Sequence, residues 1–294
     1  MKTSRAGLYA LISLMTFIWS VNYVAAKLAL RWFPPLLFAP LRSIFAAAFL
    51  LPIYWWMRKR RVDDAPWTRR EIWTLAALGI CGITLNQVFF IFGMSMTSVA
   101  HAALLIAIGP VFVMLLAAMR GQERLTGRKA AGMALAISGV VALQLTPGRD
   151  EGASALGDLF ILLAAFSFAL FTVFGKEATS RHDALTVNTV GYAAGALAGM
   201  PLLVWAGRTF DFGAVSAGGW TMMVYMALFP SVLCYMIFYH ALTRIDASRV
   251  AAFSYAQPVI ASLTGLAVLG EPVTLPVALG GMLVLSGVWL TGRR

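Results

Sequence analysis

The sequence predicts an all-α integral membrane protein: ten transmembrane helices arranged as two inverted five-helix repeats around a central cavity. Three observations carry that expectation. Of 294 residues, 60% are hydrophobic and only 12% are charged, about half the charged share of a soluble domain. Apolar runs of roughly 20 residues, long enough to cross a bilayer as helices, recur along the whole chain. The frame of one segment near the middle of the chain returns near its end.

The spans fall near residues 7–27, 36–56, 72–92, 98–119, 129–145, 156–175, 186–206, 219–240, 248–269 and 274–291. The opening stretch MKTSRAGLYALISLMTFIWS has the basic start of a signal peptide. It lacks a small-residue cleavage pattern, so it reads as the first membrane helix. Most connections are short, the longest polar one being Met57 to Glu71, and no separate soluble domain fits between the spans.

Orientation follows from the basic residues, which favour the cytoplasmic side of a membrane. With the N-terminus inside, eighteen of the 23 Lys and Arg collect on that side, among them Arg58, Lys59, Arg60, Arg61, Arg120, Arg124, Arg128 and Lys129. Lys27, Arg31, Arg149 and Arg208 fall on the other, and Arg42 lies within a span. Both termini are therefore expected in the cytoplasm. The net charge of +11 is thus a matter of topology, and no nucleic-acid partner is expected. Cys81 and Cys234 both sit in apolar runs, as free buried thiols rather than a disulfide or a metal site.

The repeat is read from a shift of 148 residues. Pro110 then aligns with Pro258, Glu123 with Glu271, Thr126 with Thr274, Gly132 with Gly280, and Ser138–Val140 with Ser286–Val288. Earlier in each half the match is weaker, WSVNYVAAK against FALFTVFGK. The chain accordingly divides into residues 1–150 and 151–294. Five spans per half is an odd number, so the second copy enters the membrane inverted. Secondary transporters are built this way, with their substrate site near the midplane between the halves.

Mid-membrane polar groups are the candidates for that site, because they are costly in hydrocarbon unless paired or facing a wet cavity. They are Trp19, Asn22 and Tyr23 on span one, Asn86 and Gln87 on span three, His101 on span four and Thr172 on span six. Tyr235 on span eight and Ser254, Tyr255 and Gln257 on span nine complete the set. Interhelical packing would also use such groups, each worth about 1 kcal/mol; their concentration on repeat-related spans favours a shared pathway. Pro110 and Pro258 lie near the bilayer centre, where a proline frees the carbonyl four residues before it. They are expected to act as hinges or to expose the carbonyls of Ile106 and Ser254. Glu123 and Glu271 each precede the closing span of their half and are expected to cap that turn.

No Asp or Glu falls at the middle of a span; Asp158 is expected at a span end. Transport without a pathway carboxylate is expected to be gradient-driven, His101 being the one candidate proton carrier. Lys27, Arg42 and Lys176 are placed towards span ends, away from the cavity. The glycines of spans five, seven and ten form small-residue ridges for close packing. A homodimer seam on spans five and ten is the alternative to a monomer.

Several of these motifs occur together in one family. The W…N…K pattern of span one, Leu41–Arg42, the paired Pro-to-QE and Pro-to-GE frames, and the repeated G…SGV resemble the EamA-type drug/metabolite transporter superfamily. The resemblance covers essentially the whole chain, departing at GQE (Gly121–Glu123), where GE is usual. It implies ten helices, cytoplasmic termini and transport of small metabolites, with a small-molecule substrate and membrane lipid as partners; its bacterial members, in the inner membrane, are often exporters of amino acids or related compounds. The residues themselves show no HExxH, GxSxG or paired Asp, and the three histidines are scattered, so no enzyme, cofactor or metal is expected. No selectivity-filter loop argues for a channel. The expectation is a carrier for neutral or aromatic amino acids, with a cationic-compound exporter as the alternative.

Overall fold

Long apolar runs leave the backbone no water to bond, so each must satisfy its own N–H and C=O groups as a helix. The computed structural model describes residues 5–58, 68–121, 125–145, 154–179, 182–245, 250 and 253–292, and among these there is no strand. Among the described residues seven helices are long and apolar enough to cross a bilayer, each 21 to 28 residues. They are span one (Arg5–Ala29), span two (Pro35–Met57), span three (Arg69–Met96), span four (Val99–Met119), span six (Ala155–Gly175), span seven (Ala184–Gly207) and span eight (Ala217–Leu242). Three further apolar helices, Gly127–Leu145, Gln257–Leu269 and Leu275–Gly292, stand where spans five, nine and ten were expected. Lys59–Arg61, Glu123 and Arg124 lie outside the described residues.

Side chains that start these helices are legible. Thr68 and Glu71 form a capping box at span three, while Ser98, Asp183 and Ser216 cap spans four, seven and eight. Each satisfies backbone N–H groups that the first turn leaves open. Large apolar side chains such as Trp55, Trp73, Leu197 and Leu263 point outward, as a lipid-facing surface requires.

Four spans are not plain α-helices, and they come in repeat-related pairs. Spans three and eight contain π-helical turns at Ile80–Leu85 and Ala227–Leu233, whose starts are separated by nearly the shift that relates the halves. Spans four and nine are broken at their prolines. In span four the helix Val99–Ile106 ends in a tight turn, with Ile108 N–H bonded to the Leu105 carbonyl, and a new helix begins at Gly109. In span nine a 3₁₀ turn, Phe253–Ala256, precedes the helix that begins at Gln257. Pro110 and Pro258 thus occupy the first turn of a restarted helix, where a missing N–H costs nothing, rather than a kink in a continuous one.

Glycines set how closely the halves meet. A Cβ on Gly139 of span five would lie 2.8 Å from the backbone of Val284 and 2.9 Å from the Gly280 carbonyl of span ten. The ridges of spans five and ten therefore face each other inside one chain. In span seven, Gly191 lies against the Gly79 backbone of span three, and Gly199 against Pro40 of span two.

Candidate functional site

The interior of the bundle holds a cavity of about 990 Å³ of empty space, its open mouth included. Spans one, two, three, four, six and eight and the start of span nine line it. Eight of the expected residues are brought together there: Trp19, Asn22, Tyr23, Asn86, Gln87, Thr172, Tyr235 and Gln257. Pro110 joins them with Ile106 and Gly109, so the broken turn of span four opens onto the cavity. Pro258 is buried but does not line it. The side chains of Ser254 and Tyr255 lie outside what the structure describes.

Aromatic rings make up much of the wall. Trp19 meets Phe168 and Tyr235 edge-on, both with ring centroids at 5.8 Å, and Tyr23 meets Phe90 at 5.4 Å. Such edge-to-face pairs hold the rings in fixed orientations. The polar tips have partners of several kinds. Tyr23 OH donates to Gln257 Oε1 at 3.3 Å, joining spans one and nine. Asn86 Nδ2 donates to the Ala164 carbonyl at 2.8 Å. Thr172 Oγ1 donates to its own helix at Phe168 O, 2.8 Å away, so its methyl group is the part left for packing.

The π turn of span eight is stitched to its surroundings by side chains. Pro230 within it can donate no backbone bond, and freed carbonyls inside a membrane must be re-paired. Trp19 Nε1 donates to Pro230 O at 3.0 Å and Ser231 Oγ donates to Met226 O at 3.0 Å. Ser231 Oγ in turn accepts Arg42 Nε at 2.9 Å and Gln87 Nε2 at 3.4 Å. Gln87 Nε2 also reaches Tyr192 OH at 3.3 Å.

Arg42 is a correction to the sequence reading. The sequence puts it away from the cavity; instead it is buried, only 4% exposed, and is the one charged residue lining the cavity among the described residues. A charge inside an otherwise apolar span is the signal that could have found it. His101 is a second correction. It is buried outside the cavity lining, with Nδ1 2.8 Å from Asp158 Oδ1, and Thr97 Oγ1 donates to the same oxygen at 2.9 Å. Its place in the first turn of span four turns it to the first turn of span six rather than into the pathway. Asp158 does stand at a span end, yet it is 1% exposed.

Glu271 follows Gly270, whose φ of 69° ends span nine in the left-handed conformation that glycine adopts readily. Among the described residues its carboxylate makes its contacts with spans four and one rather than with the closing span that follows it. Oε2 accepts the Val99 N–H of span four at 2.7 Å, and Oε1 lies 3.9 Å from Lys27 Nζ of span one. Gly121, φ 68°, follows span four in the same left-handed conformation, while Glu123 lies outside the described residues.

Comparison with known proteins fits this architecture. The EamA-like transporter family matches residues 7–144 and, a second time, residues 155–293. An "Uncharacterized transporter" of Archaeoglobus fulgidus is 27% identical over 286 residues, covering 97% of this chain and 99% of that one. The "Uncharacterized transporter YetK" of Bacillus subtilis is 24% identical, covering 98% and 87%. A "Probable terminal-alkyne amino-acid exporter" of Streptantibioticus cattleyicolor is 32% identical over 239 residues, covering 81% and 76%. A protein of known crystal structure superposes with a TM-score of 0.67 over 98% of this chain and 96% of its own, at 18% identity; that likeness concerns the fold alone. With a family match in each half, and with the paired π turns and broken helices around one cavity, this chain belongs to the EamA-like transporter family of multi-pass membrane proteins.

Proposed function

We propose that the chain exports neutral or aromatic amino acids across the bacterial inner membrane by alternating access, with both termini in the cytoplasm. The observation that carries this reading is the central cavity, whose walls combine edge-to-face aromatic rings with amide and hydroxyl groups. Ligand sites take that form: apolar surface for affinity and a few polar groups for orientation. A relative named as a probable amino-acid exporter supports the substrate class.

Tyr23, Trp19 and Gln257 would contact the solute, and the broken turns at Pro110 and Pro258 would let the two halves tilt against each other. One end of the bundle is tied by Glu271 to Val99 and Lys27, and by Asp158 to Thr97 and His101. Those ties would have to loosen for the cavity to open on that side. The chain acts as a monomer, since the glycine ridges of spans five and ten are spent on each other, and as a carrier rather than an enzyme.

A cationic-compound exporter is the competing reading. It would place a positive solute beside the buried Arg42, a repulsion in a medium of low dielectric. Purified protein in proteoliposomes, loaded in turn with amino acids, nucleosides and quaternary amines, tests the choice. Efflux of amino acids is expected; efflux confined to the quaternary amines would overturn it.

A further inference from the structure

A guanidinium inside a membrane protein needs an anion or a full set of acceptors to offset its lost hydration. Arg42 has neither among the described residues. No carboxylate pairs with it, and its one hydrogen bond runs from Nε to Ser231 Oγ at 2.9 Å. That oxygen is already committed: its proton goes to Met226 O and it also receives Gln87 Nε2. The bond therefore fixes the plane of the guanidinium without neutralising it, and the terminal nitrogens remain to be matched. They belong to a residue that lines the cavity.

Two amide oxygens in the same lining are orphaned in the opposite sense. Asn22 Oδ1 and Gln87 Oε1 are buried and accept no hydrogen bond among the described residues. Their side chains are 7% and 3% exposed. Buried polar atoms of native proteins are nearly always paired, so such exceptions call for an explanation. A cavity with an unmatched cation and unmatched acceptor oxygens is complementary to a solute carrying both an anion and an N–H donor.

We propose that Arg42 is a carboxylate-binding residue of the central cavity, with Asn22 and Gln87 receiving the ammonium group of the same solute. Arginine suits this role because its planar donors match the two oxygens of a carboxylate. Ser231 is the positioning residue, holding the guanidinium from the π turn of span eight. The proposal rests on the carrier reading above and narrows it, since a solute without a carboxylate leaves the buried charge unanswered. It also assigns the ring-lined part of the cavity, Trp19 and Phe168, to the solute's side chain.

The test uses full-length protein in proteoliposomes with three probes that share a ring: L-phenylalanine, 3-phenylpropionate, which lacks the amine, and phenethylamine, which lacks the carboxylate. L-Phenylalanine efflux is expected to be inhibited by 3-phenylpropionate and hardly by phenethylamine. Arg42→Gln is expected to reduce efflux roughly tenfold or more and to abolish that inhibition, while Arg42→Lys retains part of both. A purely structural Arg42 would leave the order of the inhibitors unchanged. Labelling of wild-type Arg42 with phenylglyoxal, read by peptide mass spectrometry, needs neither transport nor a variant, and 3-phenylpropionate is expected to slow it. Protection of Arg42 without any amino-acid efflux would sink the exporter reading and leave the carboxylate site standing. Amino-acid efflux with unprotected Arg42, or with phenethylamine inhibiting as well as 3-phenylpropionate, would overturn the carboxylate site alone.

Discussion

Glu271 Oε2 lies 2.7 Å from the amide nitrogen of Val99, a residue 172 positions away in the chain. The carboxylate of the second half thus completes the first turn of a helix in the first half, alongside the local cap from Ser98. Acidic groups are favoured there because the N–H groups of a first turn carry partial positive charge. Lys27 is near enough to share that charge, and three spans meet at one carboxylate.

Glu271→Ala should therefore lower stability by about 1 kcal/mol, the usual worth of a helix cap, although residue 271 is remote in sequence from the helix it caps. Thermal unfolding of the purified protein in detergent measures this. A variant that melts with wild type would show that Ser98 alone suffices.

The Asp158–His101 contact is buried on both sides. Removing one member of a buried hydrogen-bonded pair takes a partner from the other, which costs about 1–3 kcal/mol. Asp158→Ala and His101→Ala are each expected to destabilise on that scale. The double variant should be less harmful than the two effects added, with a coupling above about 0.5 kcal/mol. An additive double-mutant cycle would mean that the two side chains do not depend on each other.

Gly139→Val tests what the ridges of spans five and ten are for. Extra methyl groups against Val284 and Gly280 should cost about 1–3 kcal/mol through overpacking while leaving the particle size in detergent unchanged. Light scattering coupled to size exclusion would reveal a change of oligomeric state, the result expected if the ridge served a dimer instead.

Pro110→Ala and Pro258→Ala restore a backbone donor at each restarted helix. If the breaks are the points about which the halves tilt, the double variant should turn over more slowly while binding L-phenylalanine as tightly as wild type. Equal turnover would remove the prolines from the transport cycle.

How far the sequence could be read depended on the range of the interactions involved. Apolar runs, positive charge at loops, helix caps and the Pro-containing frames are local signals, and from them the spans, the repeat and eight cavity residues were legible. Trp19, Asn86 and Gln87 could be singled out because polar atoms in an apolar run need a reason to be there. Arg42 satisfies the same criterion, but its nearness to the start of its span, seven residues beyond Pro35, does not reveal that its side chain turns into the cavity. The Asp158–His101 and Glu271–Val99 contacts join segments far apart in the chain, which no periodicity within either segment encodes. The π turns were invisible for another reason: no residue pattern marks them, and only the surrounding donors, Trp19 and Ser231 among them, make them affordable.

Those π turns also set an angular phase. Each adds a residue to the helical ladder, and one residue corresponds to about 100° of rotation around an α-helix. Everything beyond Leu85 in span three and beyond Leu233 in span eight is turned by that amount relative to an uninterrupted helix. Gln87 and Tyr235 come immediately after these insertions, so it is the added residue that aims them into the cavity. Deleting a single residue from either turn would keep the composition, the hydropathy and nearly the whole length of the span. It would rotate the cavity-facing side chains out of register with those of the other half.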